Sequence, residues 1–483
     1  MADYLFERND ATSANIVHDI TFDDIKKLYR DNRKEAKECL EMTQSSYRGE
    51  NFIDQTDKYG RYGFYKDYTE RDPRTSGYRI FYPHGTVIQQ AMRRNFYRGE
   101  SQVYEKSEPS LLRKLNRYKT QKEKELYRLV ADMRVYEFSS LLDRFEHVKN
   151  WRKYSDVLYD TLAQHYGLET GWLDITSDFN VALFFANCYY KDGKWYPLKD
   201  SDTEIDEQHK YGIIFHCPSW QMSMRMFKEI QDEYSPATGN VIEKDSNGQP
   251  VRYEVLKHPA FRAMPQNIVL PIGFQPFMRC SMQSGYGIYM RESMPLQQDT
   301  AFEKLRFRHS EKLANWIYNE MRGGELIYPH EGLIKAQFVI DKIRTLHEFF
   351  EEALQYAVYR SHYYRLADID KAREDLEKFK VEGNSIKIIP RHPWEFSALR
   401  RKEIDSDYSG FSPEGSYGIQ IRSRKSTSAS EMFAPWMLMT SEDEPGVIDF
   451  KAQRRNYDTD SIISRSGISL LNMVMTAKAP DFY

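Results

Sequence analysis

The sequence has no long apolar run, very little cysteine and almost no net charge. No window in its 483 residues approaches the ~18 apolar residues that a membrane-spanning helix needs. The opening MADYLFERND has no basic stretch followed by an apolar one, so no secretory leader is expected. These features point to a cytoplasmic chain without membrane contact. Cysteine occurs only at Cys39, Cys188, Cys217 and Cys280, far apart and without metal-ligand spacing, which excludes a disulfide framework or a structural zinc site. The formal charge of −3 argues against general nucleic-acid binding, which draws its affinity from many unpaired Lys and Arg. HExxH, GxSxG, P-loop and clustered acidic metal motifs are missing as well, which disfavours the common hydrolases and nucleases. No bound metal is expected.

Aromatic residues make up 14% of the chain and charged ones 29%, a pairing unlike that of a disordered polymer. Tyrosine dominates, with 35 residues against 27 Phe and 7 Trp. Its apolar body and polar tip suit half-wet surfaces, clefts and contacts between subunits. At about 150 residues per domain, the length suggests two to four units.

The pattern along the chain predicts an α+β protein with a central mixed sheet and a buried helix. Residues 1–85 read as a helical and irregular region, with Thr21 capping a helix and a tyrosine-rich arm after it. Residues 86–300 read as the central domain, and 301–483 as a mainly helical region. Leu126, Leu129, Val130 and Met133 share one helical face, and Gly167 stops a later helix. Thr176, Ser177 and Asp178 cap the all-round apolar VALFFANC, which is therefore expected to be buried. Residues 191–210 read as a loop, YGIIFHCP as an interior strand, and 279–290 as a strand. After residue 300 the period is helical, with Ser310 capping KLANWIYNEMR. Basic clusters at 400–402 and 454–455 read as solvated surface.

Three segments place glycine beside reactive side chains: FYRGE (96–100), HYGLETGWLDITSDFNVALFFA (165–186) and RCSMQSGYG (279–287). Arg98 is suited to a ligand phosphate or carboxylate, or to a structural carboxylate such as Asp174. Gly99 would let a ligand approach the backbone. His165 ends an apolar helix stripe and reads as a buried histidine or as a catalyst. Thr176 reads chiefly as a capping residue. As a strand, 279–290 would turn Gln283, Gly285 and Gly287 to one face, leaving room for a flat group bonded by Gln283; a bulge or turn is the alternative.

Together these segments resemble the FRG domain, a family named for an F/Y-R-G motif followed by a block of the form HYGxPTxLLDxT-x-NxxxALxFA. The resemblance spans roughly residues 86–300. The sequence departs from the block at Glu169, Gly171 and Ile175, where Pro, a large residue such as Arg, and Trp are common. The resemblance implies an ADP-ribosyltransferase-like arrangement, with NAD as substrate. On that reading Gln283, His165 and Glu100 are the candidate catalytic residues, and Arg98, Gly99, Tyr166, Thr170, Asp174, Thr176, Gly285 and Tyr286 the ligand-binding ones. Cleavage of the nicotinamide–ribose bond requires stabilisation of an oxocarbenium-like state, with Arg98 on the diphosphate and Tyr166 or Tyr286 as the aromatic stack. Gln283 is neutral and cannot replace a carboxylate there, which leaves Glu100 and Glu169 as the nearest acids. The alternative is a non-catalytic nucleotide- or protein-binding module, as in a bacterial or phage conflict system, with the C-terminal helices contacting a protein partner.

Overall fold

The computed structural model describes residues 17–46, 62–64, 77–82, 85–90, 93–151, 157–218, 268–272, 275–290, 294–299, 301–329, 331–361, 363–364, 366–390 and 394–408. The basic cluster read at 454–455 lies outside them.

The chain is an α+β protein built on a seven-stranded mixed sheet. Its strands are β1 (Val17–Asp19), β2 (Asn95–Glu100), β3 (Trp172–Thr176), β4 (Tyr211–Pro218), β5 (Ile268–Pro271), β6 (Gly285–Tyr289) and β7 (Glu303–Arg308). Their spatial order is β1-β7-β4-β2-β3-β6-β5. Only β1 and β7 run parallel; the other neighbours are antiparallel. The sheet thus draws its edge strand β1 from before residue 85 and β7 from after residue 300. Strands β2 and β4 pair along their length, whereas β2 meets β3 at the single pair Tyr97–Thr176. Beyond that point the two strands part.

Alternation assigns the two faces of the sheet. Phe96, Leu173, Ile175, Phe215, Tyr286 and Ile288 pack on one side. There they meet helices α3 (Gln121–Leu142) and α10 (Glu351–Arg360). On the other side Tyr97, Ile214, Leu305 and Phe307 pack against α6 (Phe179–Asn187), together with residues of α1 (Phe22–Ser46) and α8 (Glu311–Glu320). Trp172, also on that side, joins a third cluster with α5 (Tyr159–His165) and α9 (Gln337–Arg344). Short helices α2 (Ser110–Leu115), α4 (Glu146–Trp151) and α7 (Met278–Met282) connect these layers, and α11 (Ile369–Lys378) and α12 (Ala398–Ser406) follow them.

Local chemistry explains many boundaries. Thr21 and Asp24 exchange bonds at the start of α1, as Thr120 and Glu123 do at α3, each satisfying amides that the first helical turn leaves free. Asp178 accepts from the Asn180 amide at α6, and Ser310 from the Leu313 amide at α8. Gly167 closes α5 at φ +86°. The Gly167 amide donates to Gln164 O and the Leu168 amide to Ala163 O, the paired bonds of a Schellman ending. As its composition requires, α6 is buried on nearly every side.

Several segments differ from their sequence pattern. Residues 278–282 form helix α7, and the strand starts only at Gly285. The Met278 amide donates to Glu331 Oε2 at 3.0 Å; this distant carboxylate occupies one of the helix's unsatisfied donors, a partner that no local pattern shows. Strand β7 interrupts the expected helical run after residue 300. The 191–210 loop contains the end of a hairpin, Cys188–Lys191 with Lys194–Pro197. The irregular arm contains strands of a separate antiparallel sheet formed by Tyr62–Phe64, Gly77–Tyr82 and Gly85–Gln90; its alternation is tyrosine-rich and polar, so the apolar period is faint. Cys188, Cys217 and Cys280 are buried and reduced.

The Gly99 position binds the sheet to α6. A Cβ there would stand 1.7 Å from the Ala182 carbonyl oxygen. The space expected for a ligand is therefore filled by helix backbone. Gly99→Ala is expected to destabilise the fold by ~3 kcal/mol or more, since neither backbone can yield cheaply; urea denaturation would measure it, and a loss below ~1 kcal/mol would contradict this packing.

A second constraint lies among the helices. Arg360 Nη1 donates to both Asp160 oxygens at 2.7 and 2.9 Å, and Arg360 Nε lies 3.7 Å from Asp132. Burial pushes the Asp160 carboxyl up to about 6, with Arg360 opposing, and burial raises Asp132 too. The folded protein consequently holds protons that the unfolded chain releases, so this cluster's contribution to stability is full below about pH 4 and falls as pH rises through about 6. Asp160→Asn is expected to reduce the decline, read as unfolding free energy against pH; an unaltered slope would remove Asp160 as its source.

Candidate functional site

Arg98 and His165, neighbours in the sequence motifs, do not share a side of the sheet. Arg98 lies opposite Phe215 in the β2–β4 register, on the face of Phe96 and Ile175. Asp174 alternates with Leu173 and Ile175 and lies on the other. Arg98 Nε donates to Glu100 Oε1 at 2.8 Å, and its Nη1 to the backbone oxygen of Asp174 at 2.6 Å. The guanidinium thus spans the place where β2 and β3 part and supplies the donor that a continued ladder would have supplied. Its carboxylate partner is Glu100, not Asp174. The second Glu100 oxygen accepts from Ser107 Oγ at 2.6 Å, so both oxygens of this buried side chain are engaged.

On the opposite side a polar group forms around His165. The Schellman ending of α5 holds the imidazole inward, with its side chain 4% exposed, and Nε2 lies 3.8 Å from Asp174 Oδ1. That separation exceeds a hydrogen bond, and neither atom has a hydrogen-bonding partner. The Asp174 side chain is 34% exposed, so the pair connects a buried ring to solvent. Burial pushes the His165 imidazole below its ordinary range; the Asp174 carboxylate opposes this, Arg279 reinforces it, and the Gln283 side-chain amide favours the charged form. The ring is therefore biased toward the neutral state, able to donate or accept one hydrogen bond.

Gln283 joins this group from the end of α7, not from a strand face. Its Nε2 donates to Ile327 O at 3.1 Å, and its backbone oxygen accepts from Thr176 Oγ1 at 2.7 Å. The bare strip expected beside it is occupied. A Cβ on Gly287 would stand 2.6 Å from the Trp172 ring, and one on Gly285 would stand 3.1 Å from Cys280 O. Thr170 Oγ1 donates to Gln164 at 2.8 Å. Tyr286 is buried, its ring centroid 4.8 Å from Phe96, and Tyr166 is buried with its hydroxyl on Glu331. The motif tyrosines are thus packed into the fold. Glu169 lies with Lys114, Arg134 and Tyr127.

The residues that position His165 include Arg279, which opens the third motif segment without being a candidate site residue, and Glu331, which lies outside the motifs. Arg279 Nη1 donates to His165 O at 2.9 Å, and its guanidinium carbon lies 4.1 Å from the Tyr166 ring centroid and 3.7 Å from that of Tyr328. Arg279 Nε lies 3.8 Å from Glu331 Oε1, an ion pair beyond hydrogen-bond length. Glu331 also receives the Tyr166 hydroxyl, the Met278 amide and, at 3.3 Å, the Tyr408 hydroxyl. Burial raises its carboxyl, opposed by Arg279. In sequence Glu331 is one acid among many; only its partners mark it out.

Among the described residues no three His, Cys, Asp or Glu side chains gather as a metal site requires, and no helix is long and apolar enough to cross a membrane. The family model of the FRG domain matches residues 93–194. The chain thus contains an FRG domain over those residues. No curated protein and no solved structure matches it.

Glu331→Gln preserves side-chain size but leaves the Arg279 charge buried without its counterion. A loss of ~3–5 kcal/mol in unfolding free energy is expected, measured by urea denaturation; near-native stability would show that the two tyrosine rings suffice for the guanidinium.

Proposed function

We propose that this FRG domain binds a ribose-bearing nucleotide, of the NAD or ADP-ribose class, without consuming it. The observation that carries the reading is the unpartnered pair of His165 Nε2 and Asp174 Oδ1. Buried polar atoms are ordinarily bonded. A ligand hydroxyl between these two could donate to the carboxylate and accept from the imidazole, whose neutral form is favoured by burial. A ribose diol offers such a group. Gln283, beside the imidazole, supplies an amide oriented by Ile327 and Thr176.

ADP-ribosyl transfer asks more of the site. It requires a carboxylate against the developing positive charge; Glu100 is engaged by Arg98 and Ser107 on the other side of the sheet, and the Asp174 carboxylate is taken up by the ribose hydroxyl in this reading. Gln283 carries no charge. Binding without turnover therefore fits the arrangement better, and a role as a nucleotide sensor with a protein partner follows from it.

Titration calorimetry of the full chain with NAD and with ADP-ribose is expected to show binding of both. Asp174→Ala should weaken each by ~10-fold or more, as loss of a hydrogen bond to a charged group does. No free nicotinamide should appear on prolonged incubation with NAD. Absence of binding would overturn the proposal, whereas nicotinamide release abolished by Asp174→Ala or Gln283→Ala would replace it with transfer chemistry.

A further inference from the structure

The motif tyrosines are unavailable to a ligand, but another ring stands near the same group. In the hairpin of Cys188–Lys191 and Lys194–Pro197, Tyr190 lies opposite Trp195. Tyr190 is 45% exposed. Its ring centroid is 5.2 Å from Trp195 and 5.1 Å from Tyr328. Tyr328 is in turn the ring that covers Arg279, which holds His165 by its backbone oxygen. Tyr328 also follows directly after Ile327, the residue that orients Gln283. A continuous series of contacts thus runs from the backbone oxygen of His165 to an exposed aromatic ring.

The hairpin is fixed in place. Gly324 has φ +95°, and a Cβ on it would stand 2.6 Å from Trp195 Cδ1, so the indole seats directly on this glycine. Phe184 and Phe185 of α6 contact the same indole edge-on, at 5.1 and 5.5 Å. Tyr190 is therefore backed by packed rings, the rigid support that a stacking surface needs. The other exposed side chains of the hairpin include Tyr196, which stacks on Tyr189 at 5.6 Å and 25°; that pair satisfies itself.

We infer that Tyr190, supported by Trp195 and Tyr328, is the platform on which the planar base of the nucleotide stacks. The inference rests on the ribose-binding reading above and adds a base-recognition element contributed partly by Tyr328, outside the 93–194 family match. Stacking on an aromatic ring tolerates different bases because each presents a π face, so the platform would contribute affinity more than base selectivity.

The test uses ADP-ribose as probe and titration calorimetry on the full chain. Tyr190→Ala is expected to weaken binding by ~10-fold or more, the usual scale for loss of one base stack, while Tyr190→Phe stays within ~2-fold because the ring remains. An unchanged melting temperature for both variants would confirm that this half-exposed side chain is replaced without unfolding. If Tyr190→Ala binds like the unaltered protein while Asp174→Ala does not, the platform is refuted and the ribose site stands. If the unaltered protein does not bind ADP-ribose, both readings fail.

Discussion

Glu331 carries a carboxylate into the interior, and the arrangement around it has to satisfy that group. Arg279 supplies the opposing charge, two tyrosine hydroxyls and the Met278 amide supply hydrogen bonds, and the guanidinium is sandwiched between Tyr166 and Tyr328. An isolated buried ion would be far too costly, so each partner must hold its position while the others do. These partners come from the end of α5, from α7, from the segment before α9 and from the residues after α12. The ion pair thus connects the sheet's connecting helices to the C-terminal helical layer, and the backbone oxygen of His165 is tied to it.

The consequence for the site is a division of labour between sheet faces. Where β2 and β3 separate after the Tyr97–Thr176 pair, backbone groups would be left open. Arg98 fills that opening on one side with its own bonds and takes Glu100 as counterion. On the other side His165, Asp174 and Gln283 come together, with two polar atoms still unengaged. A polar group left unbonded in a fold that satisfies most others is where ligand chemistry is most economically sought. The arginine of the family motif is bonded within the fold to Glu100 and to the Asp174 backbone oxygen, and the candidate binding group lies on the opposite side of the sheet.

The FRG family match covers residues 93–194, a span containing only β2 and β3 of the seven sheet strands. The remaining strands, the α7 turn with Gln283 and Arg279, Ile327 and Glu331 all lie outside it. The matched segment supplies the imidazole and the carboxylate, but their surroundings depend on chain more than a hundred residues away. Gly99 shows the same dependence within the segment, since its missing side chain admits the Ala182 carbonyl and so fixes the distance between the sheet and its buried helix.

The sequence by itself determined the α+β class, the presence of an FRG domain and the features governed by near neighbours. The capping residues Thr21, Asp178 and Ser310, the glycine ending at Gly167, the all-apolar α6 and the interior strand β4 could be read because their causes lie within a few residues of each other. Tertiary structure decided the rest. Residues 279–290 alternate well enough to suggest one strand, yet a carboxylate some fifty positions later, at Glu331, helps hold their first part as a helix. Strand β7 and edge strand β1 owe their places to pairing across most of the chain. Which side of the sheet Arg98 and Asp174 occupy, and that Trp172 fills the space beside Gly287, depend on register and packing. Those are set by contacts between distant segments, and composition, period and motif carry no record of them.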